Sequence, residues 1–467
     1  MDLDDILNPL TANPEQLIGA NLAGAQLKGA NFRGINLTEI DLSDAILAYA
    51  DLIEANLTRA NLKQADLTEA FMNLANLSEA DLTGAYLPEA TLVGAELKQA
   101  NLNQCYLKGA NLVGANFDKA NLTGANLSEA DLRGAQLATA QLSGAVYNNR
   151  TILPKEFDPQ QAGVHLLAPN VILKGVNFAK MDLRGADLRG ADLRGANLSQ
   201  ANLKGVNLDR ANLSGANLSS ADLRTTNLTE VLLEKAIYDP NTRLSPGLDL
   251  REGGAYLIAA DVNLAGVNLS QVDLSYTNLS GANLSGANLR AVSFKAADLS
   301  GAILKKAALQ QANLEEIDLR QANLTAANLS SVNLRSADLR GIDLTRAYLD
   351  RADLSYGDLR QADLTRASLF QVNLAHTDLR GIDLTQANLS HANLQDANLR
   401  NAELIRVNLA GANLTGVDFS GAILWEVNLD GADLTGAILT DAILKQVSLS
   451  NTNLEKTDFA EKDKPSL

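Results

Sequence analysis

From Leu22 to Leu142 every fifth residue is large and apolar: the 25 positions hold 22 Leu, together with Phe32, Phe117 and Met72. The residue two places earlier is small, Ala at 22 of these 25 positions, with Ile35, Ile40 and Cys105 at the rest. Between the two stands Asp or Asn, and two variable residues complete a unit of Ala, Asp/Asn, Leu, x, x. The pattern breaks after Tyr147, resumes for 13 units from Leu173 to Leu233, breaks again, and runs for 40 units from Leu264 to Phe459, so 78 units account for 390 of 467 residues. A period of five fits neither the 3.6 of an α-helix nor the 2 of a long strand. It does fit a short extended segment followed by a corner. The Ala and the Leu, two residues apart, then share one side of the backbone and point inward, while the other positions face out. Successive coils would pair as a parallel ladder with Leu stacked on Leu. The Gly that often precedes the Ala is expected at a corner of type II, which needs a positive φ; where Arg, Glu or Gln replaces it, the other corner geometry is expected.

These repeated A[D/N]Lxx units resemble the pentapeptide-repeat proteins over more than four fifths of the chain. The resemblance implies an all-β fold, a right-handed quadrilateral parallel β-helix with four sides to each 20-residue coil. At that count the chain makes about 19 coils and, at about 4.8 Å per coil, a rod on the order of 90 Å long.

Both interruptions follow one design. Tyr147 and Tyr238 occupy Leu positions, and the next block restarts 26 residues later, at Leu173 and Leu264. Offset by 91, Asn148 and Asp239, Thr151 and Thr242, Phe157 and Leu248, Asp158 and Asp249, Gly163 and Gly254 recur in order, with prolines at Pro154 and Pro246. Asp158, Pro159, Gln161 and Gly163 read as cap, first turn, capping-box partner and stop of a one-turn helix on a protruding loop, and Asp249, Glu252 and Gly254 likewise. The Tyr, Thr, Phe-Asp-Pro spacing is similar to inserts in cyanobacterial members of the family; the second copy departs from it with Leu248, Asp249, Leu250. The expected organisation is an N-terminal cap at 1–16, repeat blocks at 17–147, 171–238 and 262–460, insert loops at 148–170 and 239–261, and a tail at 461–467. An uncovered coil end is an unpaired ladder edge, so the C-terminal coil is a candidate for self-association.

Composition removes most chemistry. One cysteine rules out an internal disulfide, and three histidines, His165, His376 and His391, leave little for acid/base or metal catalysis. Cys105 occupies a small apolar position of the repeat and reads as buried filler. His376 and His391 read as a solvated pair. No P-loop or nucleophile–His–acid constellation appears, and the abundant Asp and Asn belong to the repeat itself. The expectation is therefore no enzyme, no catalytic residue, no metal and no cofactor. No stretch approaches a membrane span, and the acidic start (Asp2, Asp4, Asp5) is unlike a secretory signal, which points to a cytoplasmic protein.

Function must then lie on outward positions, where residues 20 apart stack in columns. Arg320, Arg340, Arg360, Arg380 and Arg400 form one, each two residues after Asp318, Asp338, Asp358, Asp378 and Asn398. A second column holds Asp343, Asp363, Asp383 and Glu403 with Arg346, Arg366 and Arg406. Ten arginines and no lysine meet eleven acids between 318 and 406. These columns are either a self-neutralised lattice or, because Arg makes planar bidentate contacts, a docking stripe. A second candidate surface is apolar: Ile423, Ile438 and Ile443 replace Asp or Asn, and Trp425 stands beside them. The favoured function is a rigid scaffold for protein–protein interaction, its partners being other proteins. The resemblance implies one alternative, a DNA mimic that binds a topoisomerase such as DNA gyrase. Against this stand 55 acidic and 39 basic residues, a net charge of −16, where a 90 Å length of DNA carries about 50. The same acidic balance disfavours direct binding of nucleic acid.

Overall fold

The computed structural model of the protein describes residues 17–458; the expected cap at 1–16 and tail at 461–467 lie outside them. The chain divides into two compact units, Met1–Ala255 and Tyr256–Leu467. Each is built of stacked square coils. Parallel bridges join residues 20 apart in regular succession, such as Asn21↔Asp41↔Asn61 in the first unit and Asp318↔Asp338↔Asp358 in the second, so four five-residue sides close each coil.

One unit of the repeat shows how the sequence produces this. In the unit that begins at Asp358, the Asp358 N–H donates to the Ala337 carbonyl in the coil before (3.1 Å), and the Leu359 N–H to the Asp378 carbonyl in the coil after (2.8 Å). The Arg360 N–H donates to the Asp358 carboxylate (3.2 Å). The Gln361 N–H reaches the Arg380 carbonyl (3.3 Å), and the Ala362 N–H closes the corner on the Leu359 carbonyl (3.1 Å). All five donors are satisfied, and one depends on a short side-chain acceptor two residues back. That is why the repeat asks for Asp or Asn. Inside, Leu359 and Ala362 are almost wholly buried, as are their counterparts along each stack. Each buried Leu contributes roughly 1.5–3 kcal/mol relative to exposure.

The corners differ from expectation. In the second unit every fifth residue from Asp261 to Lys456 has a positive φ, glycine or not: Gln361 at 61°, Arg366 at 60° and Glu316 at 57°, beside Gly381 at 67°. A single corner geometry serves all, because the corner residue's N–H bonds the next coil and the following N–H closes the turn. A side chain in this region costs about 1–2 kcal/mol, and two backbone hydrogen bonds at about 0.5–1.5 kcal/mol each offset it.

The inserts continue the coil and then leave it. In the first, Ile152 bridges Asp131, and strand β1 (Val146–Asn148) pairs in parallel with β2 (His165–Leu167). Between them Phe157 packs against the core. The Thr151 hydroxyl donates to the Leu127 carbonyl (2.9 Å) and, with the Asn148 side chain, accepts the Glu129 N–H (3.0 Å each). In the second insert, which follows β3 (Ile237–Tyr238), Thr242 donates to the Leu218 carbonyl (3.0 Å) and, with Asp239, accepts the Ser220 N–H. The matching Asn/Asp and Thr landmarks are thus caps for a coil edge. Asp158 accepts from the Gln160 and Gln161 N–H groups in a turn that ends at Gly163 (φ 70°). Asp249 caps a 3-10 helix, Leu250–Gly253, that ends at left-handed Gly254.

Candidate interaction surfaces

In the second unit the arginine column is a continuous ion-pair ladder. Arg320 Nη2 lies 2.5 Å from its own Asp318, Arg340 2.7 Å from Asp338, Arg360 2.6 Å from Asp358 and Arg380 2.7 Å from Asp378. Three of them also reach one coil on: Arg320 to Asp338, Arg340 to Asp358 and Arg360 to Asp378, each at 3.7 Å. Hydrogen bonds from their own arginines hold the Asp318, Asp338 and Asp378 carboxyls below the usual carboxylate range. The local fork follows from the sequence Asp-Leu-Arg, since the first and third residues of a side point the same way; Arg184–Asp182 and Arg224–Asp222 in the first unit repeat it. The ladder ends where Asn398 replaces Asp. Arg400 keeps only a 3.7 Å approach to Asp418, and its side chain is the most exposed of the five at 56%.

The second column is wired differently. Asp343, Asp363 and Asp383 accept the N–H groups of Thr345, Thr365 and Thr385. Arg366 donates to Gln386 and Arg406 to Glu426, each at 2.8 Å, because corner residues stack on corner residues.

Of the apolar candidates, Ile423, Trp425 and Ile443 lie in a set of three short parallel strands, β4 (Glu403–Ile405), β5 (Ile423–Trp425) and β6 (Ile443–Lys445), in the register Glu403↔Ile423↔Ile443. β-Branched and aromatic side chains favour this longer extended run. Trp425 is 45% exposed, with Lys445 Nζ 5.8 Å above its ring, and Ile443 is 49% exposed. Ile438 occupies the neighbouring side, between Asp418 and Asp458 in its ladder. Ile423 and Ile443 are therefore paired neighbours, and Ile438 is round a corner from them.

His376 stacks on Tyr356 (5.0 Å between centroids) and its Nδ1 lies 3.7 Å from Asp396, whereas His391 meets Phe370 edge-on. Cys105 is buried with Sγ 2.8 Å from the Leu82 carbonyl, and burial pushes its thiol well up. Among the described residues no group of three or more His, Cys, Asp or Glu could hold a metal ion, and no helix is long and apolar enough to cross a membrane.

The sequence does not announce an elbow in the first unit. Among the described residues no bridge carries the first coil of the second block, starting at Ile172, onto the coil before it. That coil leans instead on the side of the first block. The Arg184 guanidinium sits 4.7 Å from the Tyr86 ring centre and 5.2 Å from that of Tyr106, two rings stacked at 5.0 Å. Asn126 Nδ2 donates to the Asp182 carbonyl (2.6 Å) and Gln104 Nε2 to that of Ala179 (3.4 Å). Burial raises the Tyr106 phenol well above its ordinary range. A cleft of about 250 Å³ remains beside the joint, bordered by Lys108, Ser128, Glu129, Arg150 and Asp187. Two Tyr in one column, where the repeat has Asp or Asn, were the available signal.

Residues 16–34, 35–73, 75–112, 110–146, 170–200, 191–229, 263–301, 302–341, 327–366, 367–404 and 402–441 match the family model described as Pentapeptide repeats (8 copies). The chain belongs to the pentapeptide repeat family. Its square coil is the right-handed quadrilateral parallel β-helix of that family. Similar solved structures include HetL from Nostoc sp. strain PCC 7120, a pentapeptide repeat protein involved in heterocyst differentiation regulation. It is 34% identical, with 42% of this chain and 87% of that one covered and a TM-score of 0.41. A second Nostoc PCC 7120 pentapeptide repeat protein is 41% identical over 19% of this chain and 79% of its own, at a TM-score of 0.16. One from the cyanobacterium Cyanothece 51142 is 30% identical over 31% and 99%, again at 0.16. No curated protein sequence matches the chain.

Proposed function

We propose that this pentapeptide repeat protein is a non-enzymatic scaffold that docks other proteins on decorated sides of its coils. The observation that carries this reading is the division of labour within each unit. Ala and Leu are consumed by the core, and the outward positions depart locally from their polar norm, most plainly where Ile423, Ile438 and Ile443 replace Asp or Asn and at Trp425, 45% exposed. In the second unit the docking residues are Ile423, Trp425, Ile438 and Ile443 together with the column Arg320, Arg340, Arg360, Arg380 and Arg400. A partner carboxylate on that column would exchange for an aspartate already in place, which favours selectivity over raw affinity. Arg400, with no aspartate of its own, is the natural entry point.

The test is capture of partners from native-host extract at physiological salt on three baits: wild type, Arg340→Glu/Arg360→Glu/Arg380→Glu, and Trp425→Ser/Ile443→Ser. A partner held by wild type and lost from one variant is the expected result. Topoisomerase subunits held equally by all three would overturn it in favour of DNA mimicry, and capture of nothing would remove the scaffold reading. Sedimentation of wild type against Trp425→Ser/Ile443→Ser shows whether a second copy of the chain is what covers the apolar end.

A further inference from the structure

On one side of the first block four of the eight outward positions in four successive coils are apolar. Phe71 stands where Asp or Asn is the norm, Ile53, Val93 and Val113 fill the outward position two residues further along that side, and Leu74 turns the corner. The bridges Asp51↔Phe71↔Thr91↔Asn111 hold these coils in register, so the five side chains share one face, with Asn73 among them accepting the Val93 N–H (3.0 Å). Phe71 is 44% and Leu74 60% exposed. Leu74 lies over the next corner, its Cδ2 2.9 Å from where a Cβ on Gly94 would stand. Glycine at that corner leaves room for it to lie flat.

The setting of the stripe is strongly acidic. Between residues 39 and 96 there are eleven acids and two bases, and both bases are taken, Arg59 by Glu39 and Lys63 by Asp81. Exposed Glu69 and Glu89 line the corner on one edge of the stripe and Glu54 the corner on the other. Arg33 pairs with Asp51 at the end of the stripe (2.9 Å), but among the described residues none of these three forms an ion pair, so the carboxylates at the two corners keep their negative charge. On the neighbouring side of the same coils the chain shows the complement such a surface takes: the Arg184 guanidinium covers Tyr86 and Tyr106.

We infer that this stripe docks a cationic amphipathic segment of a partner protein, its apolar side chains on Phe71, Leu74 and Val93 and its Lys or Arg against Glu54, Glu69 and Glu89. The same field repels nucleic acid and anionic lipid, which leaves protein as the occupant. The inference rests on the scaffold reading and adds a second surface of opposite character to the arginine column.

The test uses the full chain and two fluorescein-labelled peptides of equal length and charge, one alternating Leu and Lys, the other Ser and Lys, read by fluorescence anisotropy. Wild type is expected to bind the Leu/Lys peptide at least tenfold tighter than the Ser/Lys peptide. Phe71→Ser/Leu74→Ser should lose at least tenfold, Glu69→Gln/Glu89→Gln several-fold with a flatter salt dependence, and Arg340→Glu/Arg360→Glu nothing. Circular dichroism melts check that the variants fold, which these exposed positions permit. No binding of the Leu/Lys peptide, equal binding of the two peptides, or full retention by Phe71→Ser/Leu74→Ser would overturn the inference. Such a failure leaves the scaffold reading standing if the arginine or tryptophan baits still lose a partner, and that reading fails separately if wild type captures none.

Discussion

The Asp or Asn ahead of each central Leu is an internal hydrogen-bond acceptor before it is a surface charge. In the second unit the sequence Asp-Leu-Arg adds a fork to it, so Asp338 accepts from both the backbone and the side chain of Arg340. Arg340 holds the Asp338 carboxyl below its ordinary value, as Arg320 and Arg380 do for Asp318 and Asp378. A carboxyl whose folded value is lowered contributes stability in full above its unfolded value, about pH 4, and loses it as pH falls through the lower folded value. Between pH 5 and about 3 the wild-type second unit should therefore weaken more than Asp318→Asn/Asp338→Asn/Asp378→Asn, followed by urea titration of Trp425 fluorescence. Equal slopes would show that the ladder is energetically idle. At the corners left-handed strain gives opposite changes opposite signs. Gln361→Gly should gain up to about 1 kcal/mol by relieving left-handed strain, and Gly381→Ala should lose about 1 kcal/mol, because no contact compensates it.

At the scale of elements the inserts are where local rules stop sufficing. Thr151 and Thr242, with Asn148 and Asp239, cap N–H groups that a following coil would otherwise take, and both sets were visible as landmarks 91 residues apart. The elbow is different. It depends on Tyr86 and Tyr106 in one block meeting Arg184 from another, 98 and 78 residues on, and nothing in a five-residue period relates them. Cation–π contacts of this half-buried type are worth about 0.5–2 kcal/mol. Arg184→Ala should leave the first block intact while amide exchange speeds several-fold across residues 177–189. Unchanged exchange there would mean that Asn126 and Gln104 hold the joint alone.

Within each block of the molecule a coil pairs only with its neighbours, and the lateral joint at Arg184 lies inside the first unit, so damage should stay in the unit that suffers it. Leu359→Ala opens a cavity in the second unit and should cost about 2–5 kcal/mol there. The Trp425 transition should shift to lower urea while exchange protection of residues 52–132 stays at its wild-type level. Loss of protection in both units together would show that they unfold as one.

The sequence by itself determined the coil: which residues enter the core, the parallel stacking, the Asp/Asn acceptors and the Asp-Leu-Arg forks, because each depends on spacing within a unit or between adjacent units. It also set out the candidate surfaces as columns, once the resemblance to the pentapeptide-repeat family supplied the coil of 20 residues. It did not determine the corner geometry, which the bonding needs of the next coil impose on Gln and Arg as firmly as on Gly. Nor did it determine where Arg366 and Arg406 point, since corner residues stack on corner residues and bring them to Gln386 and Glu426. The elbow was decided only by tertiary structure, because its contacts form between blocks whose relation no local repeat encodes.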